Sequence, residues 1–146
     1  AWGDVDFLIL DLPPGTGDIQ LTIVQTAELD GVVVVTTPQE VALIDARKAI
    51  GLFERVETPI LGIIENMSYF QCPSDGKIYH IFGEGGGERE AAKLGVPLLG
   101  KIPLDISTRF GGDEGRPVAL EDPGQNPVSA AFRQVAEQCA RVVLDR

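Results

Sequence analysis

Asp11 and Gly15 are the two residues whose types and positions most directly suggest chemistry. Asp11 lies close behind the apolar run Phe7-Leu8-Ile9-Leu10, and Gly15 follows a Pro-Pro pair. An apolar run without alternation predicts a central parallel strand buried on both faces, and open α/β sheets bind ligands where such strands end. There a carboxylate can organise Mg²⁺, and a glycine lets its N–H approach a terminal phosphate. Taken alone, the run is equally compatible with a strand that simply ends in a Pro-Pro-Gly turn.

Asn66 is the next candidate, because it stands just past another predicted strand. If phosphates lie over Asp11, a nucleotide base would sit at this edge of the sheet, and a carboxamide can both donate to it and accept from it. The alternative is an asparagine that closes a turn.

Cys72 lies in a polar turn, where a thiol is exposed enough to ligate a metal or to become oxidised. A lone cysteine without any ligand role is the competing interpretation. Cys139 falls instead on the apolar stripe of a predicted helix, which favours packing. His80 is the only histidine, and a structural or surface role is favoured for it.

Alternating strand and helix patterns must position these residues. The sequence predicts strands at about 7–11, 31–37, 59–65 and 96–102, and helices at about 18–29, 39–55, 88–94 and from 127 to the C-terminus. Such alternation predicts an α/β fold, a three-layer sandwich around a mainly parallel sheet with right-handed crossovers. Residues 110–125, rich in Gly, Asp, Glu and Pro, are predicted to form a loop.

Two smaller features complete this prediction. The helix at 39–55 places Leu43, Ala46, Ile50 and Phe53 on one face, which marks them as core residues. Glycines 85–87 precede a helix and favour a tight chain entry over an anion-binding nest, because glutamates flank them.

Composition narrows the class of protein. The chain has 146 residues, 44% of them hydrophobic, which suits one domain. A net charge of -10 argues against nucleic-acid and anionic membrane partners, since both require clustered Lys and Arg. We expect a cytoplasmic protein whose two cysteines do not pair.

A phosphate-binding loop of the form G-x-x-x-x-G-K-[ST] does not occur in the sequence. Both Gly-Lys pairs, Gly76-Lys77 and Gly100-Lys101, are followed by isoleucine. Because the chain starts with Ala1 and its first predicted strand already carries the metal-side carboxylate, we expect it to be the C-terminal portion of a single larger domain.

Several motifs nevertheless occur in a recognisable order. They are Asp-Leu-Pro-Pro-Gly-Thr-Gly-Asp at 11–18, Thr-Thr-Pro-Gln at 36–39, Glu-Asn-Met-Ser at 65–68, Ile-Phe-Gly at 81–83, Gly-Gly-Gly-Glu at 85–88 and Ile-Pro-Leu-Asp at 102–105. Together they cover almost the whole chain. In this order they resemble the Mrp branch of the MinD/ParA-type P-loop ATPases.

The resemblance implies a Mg²⁺-ATP-dependent ATPase that acts as a homodimer and delivers iron–sulfur clusters to apo-proteins. It assigns metal and phosphate roles to Asp11 and Gly15, and adenine contacts to Asn66 with Pro103 and Leu104. The phosphate loop would lie upstream, so the isolated chain should be inactive.

The same resemblance bears on Cys72. Many family members carry C-P-x-C here, and two such pairs in a homodimer are thought to bridge a [4Fe–4S] cluster. This chain has Asp75 in place of the second cysteine. Two rival functions therefore stay open: a cluster-free MinD-like switch ATPase, and a non-catalytic interaction domain.

Overall fold

The computed structural model describes residues 2–13, 15 and 17–145. The helices in this part of the chain are α1 (Asp18–Thr26), α2 (Glu40–Arg55), α3 (Gly86–Leu94), α4 (Ile106–Asp113) and α5 (Pro127–Leu144). The strands are β1 (Val32–Thr36), β2 (Ile60–Glu65), β3 (Phe70–Gln71), β4 (Ile78–Tyr79) and β5 (Leu98–Lys101).

A parallel sheet of order β1-β2-β5 forms the centre of the fold. Its strands consist largely of Val, Ile and Leu, as expected for parallel strands that are covered by helices. The central strand β2 is the most buried, with Ile63 fully inaccessible to solvent. The predicted α/β architecture with a parallel sheet is therefore confirmed.

Helices α2 and α3 pack on β1 and β2, and α5 packs on β5 and β2. All four predicted core residues of α2 are buried, and they include Ala46 and Ile50 in the main hydrophobic cluster. Asn126 caps α5, since its Oδ1 accepts hydrogen bonds from the N–H groups of Val128 and Ser129. Within the described residues, no helix is long and apolar enough to cross a membrane.

The prediction of a loop at 110–125 is partly wrong. Helix α4 extends into it as far as Asp113, and a short 3₁₀-helix occupies Val118–Leu120. The cause lies upstream, because the Asp105 side chain accepts a hydrogen bond from the N–H of Thr108 and so begins α4 before the glycines.

The strand predicted at about 7–11 is also not observed. In the described part of the chain these residues form no strand, and Ile9 is 89% exposed. In the described residues this segment pairs with neither edge strand of the sheet, β1 or β5. An apolar run needs a neighbouring strand to satisfy its backbone groups, and hydrophobicity alone does not supply one.

Candidate functional site

The carboxyl ends of the strands meet at Asn66. Its backbone N–H donates to the carbonyl of Thr36 over 2.7 Å, which ties the end of β2 to the end of β1. On the other side, the Ile102 N–H donates to the Glu65 carbonyl at 2.9 Å, and the Ser68 N–H donates to the Ile102 carbonyl at 3.0 Å. The residue after β2 is thus held between the segments that follow β1 and β5.

Pro103 and Leu104 lie on the segment after β5. The Leu104 N–H donates to the carbonyl of Tyr69 at 2.7 Å, and Leu104 forms a parallel bridge with Phe70. The structure therefore brings three of the predicted site residues, Asn66, Pro103 and Leu104, onto two directly hydrogen-bonded segments.

One of the two polar atoms of the Asn66 carboxamide, the oxygen, is hydrogen-bonded within its own turn. Its Oδ1 accepts a hydrogen bond from the Met67 N–H at 2.9 Å, and Met67 has a left-handed backbone with φ of 52°. The carboxamide nitrogen has no hydrogen-bond partner among the described residues, so two donor hydrogens remain available. The turn-closing interpretation is thus correct for the oxygen, while the nitrogen is free to meet a ligand.

A second polar atom without a described partner belongs to the segment after the neighbouring strand, β1. The hydroxyl of Thr37, which follows β1, is buried and makes no hydrogen bond in the part of the chain that the structure describes. Threonine at a strand end is ordinarily explained by β-propensity, so the sequence alone gave no reason to include it. The same sheet edge therefore carries a buried hydroxyl in addition to the Asn66 amide.

Glu65 is the buried residue that sequence reasoning did not single out. Its side chain is fully inaccessible to solvent. Oε2 accepts a hydrogen bond from the Gly87 N–H at 2.6 Å, and Oε1 accepts one from the Ser68 hydroxyl at 2.5 Å. The N-terminus of α3 therefore binds a carboxylate of this same chain, that of Glu65. Its only advance signal was an acidic residue at the end of an otherwise apolar strand.

Gly85 and Gly86, where α3 begins, allow close packing. Gly85 is left-handed, with φ of 67°, and a Cβ on Gly86 would come within 2.5 Å of the Pro38 carbonyl oxygen. Both features support the predicted tight chain entry into α3.

Asp11 and Gly15 belong to the segment before α1 and form no hydrogen bond with Asn66 or with residues 102–104 in the described part of the chain. Asp11 is exposed and makes no hydrogen bond or ion pair to another described residue, while Gly15 has φ of +98°. Gln20 anchors this segment to α1, because its Nε2 donates to the Pro13 carbonyl at 2.7 Å. Two further residues of the Asp-Leu-Pro-Pro-Gly-Thr-Gly-Asp string, at positions 14 and 16, lie outside the described residues.

Cys72 begins the turn of the β3–β4 hairpin. Its N–H donates to the Lys77 carbonyl at 2.9 Å, and its Sγ lies 3.0 Å from the Ser74 hydroxyl oxygen. Hydrogen bonding from Ser74, first through the hydroxyl and then through the backbone N–H, lowers the pKa of the Cys72 thiol. A lower pKa favours the thiolate, which is the form that binds metal.

Asp75 is oriented by Lys77. Its Oδ1 accepts from the Lys77 N–H at 3.0 Å, and this bond is the main reason why the pKa of Asp75 is lowered. Cys139 lies on α5, where burial raises the pKa of its thiol. His80 lies 3.6 Å from a carboxylate oxygen of Glu84. Among the described residues, no group of three or more His, Cys, Asp or Glu side chains is arranged to hold a metal ion.

Solved structures identify the class of fold. The chain resembles a nucleotide-binding protein from Archaeoglobus fulgidus in complex with ADP, with a TM-score of 0.71 and 44% identity over 79% of this chain and 47% of that chain. It also resembles the septum site-determining protein MinD of Pyrococcus horikoshii complexed with Mg-ADP, with a TM-score of 0.70 and 27% identity over 94% of this chain and 51% of that one. The fold is that of a P-loop NTPase.

A comparison with family models assigns the chain to one family within the P-loop NTPases. The family model described as ParA, NUBPL iron-transfer P-loop NTPase, matches residues 1–140, and the chain belongs to this family. An iron-sulfur cluster carrier protein of Pyrococcus furiosus is 51% identical over 137 residues, which are 94% of this chain and 46% of that relative. The chain thus spans about half the length of this relative.

Proposed function

We propose that the protein containing this chain is a Mg²⁺-ATP-dependent ATPase that carries iron–sulfur clusters to apo-proteins. In this proposal residues 1–146 form the C-terminal portion of a single nucleotide-binding domain, which acts as a cytoplasmic homodimer. The observation that carries the proposal is the junction of Asn66 with the 102–104 segment, within a chain of the iron-transfer family.

The carboxyl end of the sheet around Asn66 and residues 102–104 suits the binding of a nucleotide base. The free carboxamide nitrogen can donate to a ring nitrogen of adenine, while the bond from Oδ1 to the Met67 N–H holds the side chain in place. Pro103 and Leu104 offer an apolar contact for the face of the base, since both are only partly buried.

Asp11 and Gly15 are proposed to serve the phosphate end. The exposed carboxylate of Asp11 has oxygen atoms of the kind that Mg²⁺ prefers, and none of them is engaged by a described residue. When bound, Mg²⁺ would neutralise charge on the phosphates. Gly15 is exposed and has no Cβ, so a phosphate can approach its backbone closely. The P-loop amides and lysine would have to come from outside this chain.

The base site is tested by Asn66→Asp in the full-length protein. Aspartate keeps an oxygen to accept from the Met67 N–H but loses the carboxamide donor, so the turn survives and the base contact does not. We expect kcat/KM for ATP to fall about tenfold relative to that for GTP. Steady-state assays with both nucleotides give this ratio, and an unchanged ratio would contradict the base site.

The cargo depends on Cys72. The thiolate favoured by Ser74 is a soft ligand suited to iron, and a homodimer would supply two such thiolates from its hairpins. An Fe–S cluster generally needs four, and Asp75 offers only oxygen. We therefore propose a labile cluster, held for transfer rather than for storage.

Anaerobic reconstitution of the full-length protein tests the cargo. The parent should retain less than one cluster per dimer, Cys72→Ser should abolish retention, and Asp75→Cys should raise it by restoring the second thiol. Cys139→Ser is the matched control and should leave iron and sulfide unchanged. If no iron depends on Cys72 and Asp75→Cys adds none, the cluster-free switch ATPase replaces the carrier; the presence of Asp75 is the observation that favours this second candidate.

A further inference from the structure

Glu65 is a fully buried carboxylate that forms no ion pair with any residue the structure describes. Its two hydrogen bonds come instead from a backbone N–H and a hydroxyl. Burying an ionisable side chain costs free energy unless its hydrogen-bonding capacity is met, and an apolar residue would fill the end of a strand without that cost. The local geometry indicates what this carboxylate does there.

The carboxylate closes the turn that contains Asn66. Glu65 is the last residue of β2, and its Oε1 reaches forward to the Ser68 hydroxyl, so the hydrogen bond spans Asn66 and Met67. Met67 has the left-handed φ of 52°, a conformation that costs a non-glycine residue about 1 kcal/mol or more. Such a conformation persists only where surrounding contacts enforce it. The bond from Ser68 to Glu65 is one of these contacts.

The other carboxylate oxygen connects the turn to a helix. Oε2 accepts from the Gly87 N–H in the first turn of α3, where backbone N–H groups lack partners within the helix and favour a negative charge. A Cβ on Gly87 would come within 3.1 Å of the Glu65 Cβ, so the glycine permits this close contact. One side chain thus links the end of β2, the Asn66 turn and α3.

We propose that Glu65 is a positioning residue for base recognition. By holding Ser68 and Gly87, its carboxylate fixes the turn in which Asn66 presents its carboxamide nitrogen. This inference rests on the proposed role of Asn66, and it adds a group that never touches the nucleotide.

Four variants of the full-length protein test this role. Glu65→Ala leaves the Gly87 N–H and the Ser68 hydroxyl without a partner. Glu65→Gln can restore both bonds, because its amide oxygen accepts from Gly87 and its amide nitrogen donates to the Ser68 oxygen. Ser68→Ala removes only the bond across the turn. The matched control is Glu90→Gln, which alters another buried glutamate, on α3, that is paired with Arg47 and Lys93.

Two readouts separate positioning from general stability. The first is hydrogen exchange of the Met67 and Ser68 amides without nucleotide. The second is the ratio of kcat/KM for ATP to that for GTP. We expect Glu65→Ala to speed exchange at both amides and to lower the ratio about tenfold, Ser68→Ala to do so more weakly, and Glu65→Gln to restore values within about twofold of the parent. Glu90→Gln should change neither readout.

Two results would overturn the inference. If Asn66→Asp lowers the ATP-to-GTP ratio but Ser68→Ala and Glu65→Ala do not, Glu65 is a structural residue only, and the base site itself stands. If Asn66→Asp leaves the ratio unchanged, the base site and the positioning role fail together. Should Glu65→Ala not fold, Ser68→Ala, which keeps the charge and most of the volume, decides the question by the same two measurements.

Discussion

At the scale of single residues, the first turn of α3 packs closely against the backbone that follows β1. Gly86 lies where a side chain would meet the Pro38 carbonyl oxygen at 2.5 Å and the Leu43 Cδ1 at 3.0 Å. Pro38 follows β1 and Leu43 belongs to the core face of α2, so neither can retreat freely. The absence of a Cβ at Gly86 therefore sets how near α3 lies to the end of β1.

Gly86→Ala should destabilise the chain by about 1–3 kcal/mol, because the new methyl group overpacks a rigid contact. Gly51→Ala is the matched control, since Gly51 also lies in a helix but a Cβ there meets no atom within 4 Å. The control should be neutral or stabilising by up to about 1 kcal/mol, from helix propensity. Urea unfolding measures both; equal effects of the two substitutions would show that the Gly86 contact relaxes.

At the scale of elements, an ion-pair network joins α2 to α3. Arg47 donates to both carboxylate oxygens of Glu90, at 2.8 and 2.7 Å, and also to Glu40 at 2.7 Å. Lys93 adds a bond to Glu90 at 2.8 Å. Bonds from Arg47 first and Lys93 second lower the pKa of Glu90 to about 2, from an ordinary value of 4.5. This pairing is the main polar link between two helices that cover the same sheet.

The lowered pKa makes stability depend on pH. Glu90 stays ionised in the folded protein where it would take up a proton in the unfolded chain, so its contribution is complete above about pH 5 and is lost as pH falls toward about 2. Glu90→Gln should therefore cost about 1–3 kcal/mol of unfolding free energy at pH 7, and progressively less in acid.

Urea unfolding at several pH values checks this prediction. Glu54→Gln on the exposed face of α2 is the control and should follow the parent at every pH, because Glu54 has no ion pair among the described residues. A Glu90→Gln curve parallel to that of the parent would show that the network contributes no pH-dependent stability.

At the scale of the whole molecule, local patterns predicted the elements whose partners lie within this chain. The apolar stripe of α2 and the runs of β1 and β2 were correctly placed, because their buried faces meet each other. Residues 7–10 have an equally strong pattern but form no strand, since hydrophobicity does not specify a neighbour. Hydrophobic periodicity indicates which residues are suited to burial, but whether they are buried depends on the topology of the fold.

In the candidate site, too, some residues were predicted from the sequence and others were not. Motif order pointed to Asn66, Pro103 and Leu104, and the structure brings them onto adjoining segments. Motif order did not single out Glu65 within Glu-Asn-Met-Ser, because one of its two partners, Gly87, becomes its neighbour only after α3 packs on β2. A hydrogen bond to a residue distant in sequence leaves no local pattern beyond the acidic residue that ends the strand.

ATP turnover by Asp11→Asn in the full-length protein is the most direct test of the proposed ATPase. Asparagine keeps the shape of the side chain and removes the charge proposed to organise Mg²⁺, and Asp11 is exposed, so folding should be unaffected. Asp6→Asn, in the same exposed segment, is the matched control. We predict a loss of about a hundredfold in turnover for Asp11→Asn and parental turnover for Asp6→Asn. Parental turnover by Asp11→Asn would contradict the assignment of this chain to the metal side of an ATPase site.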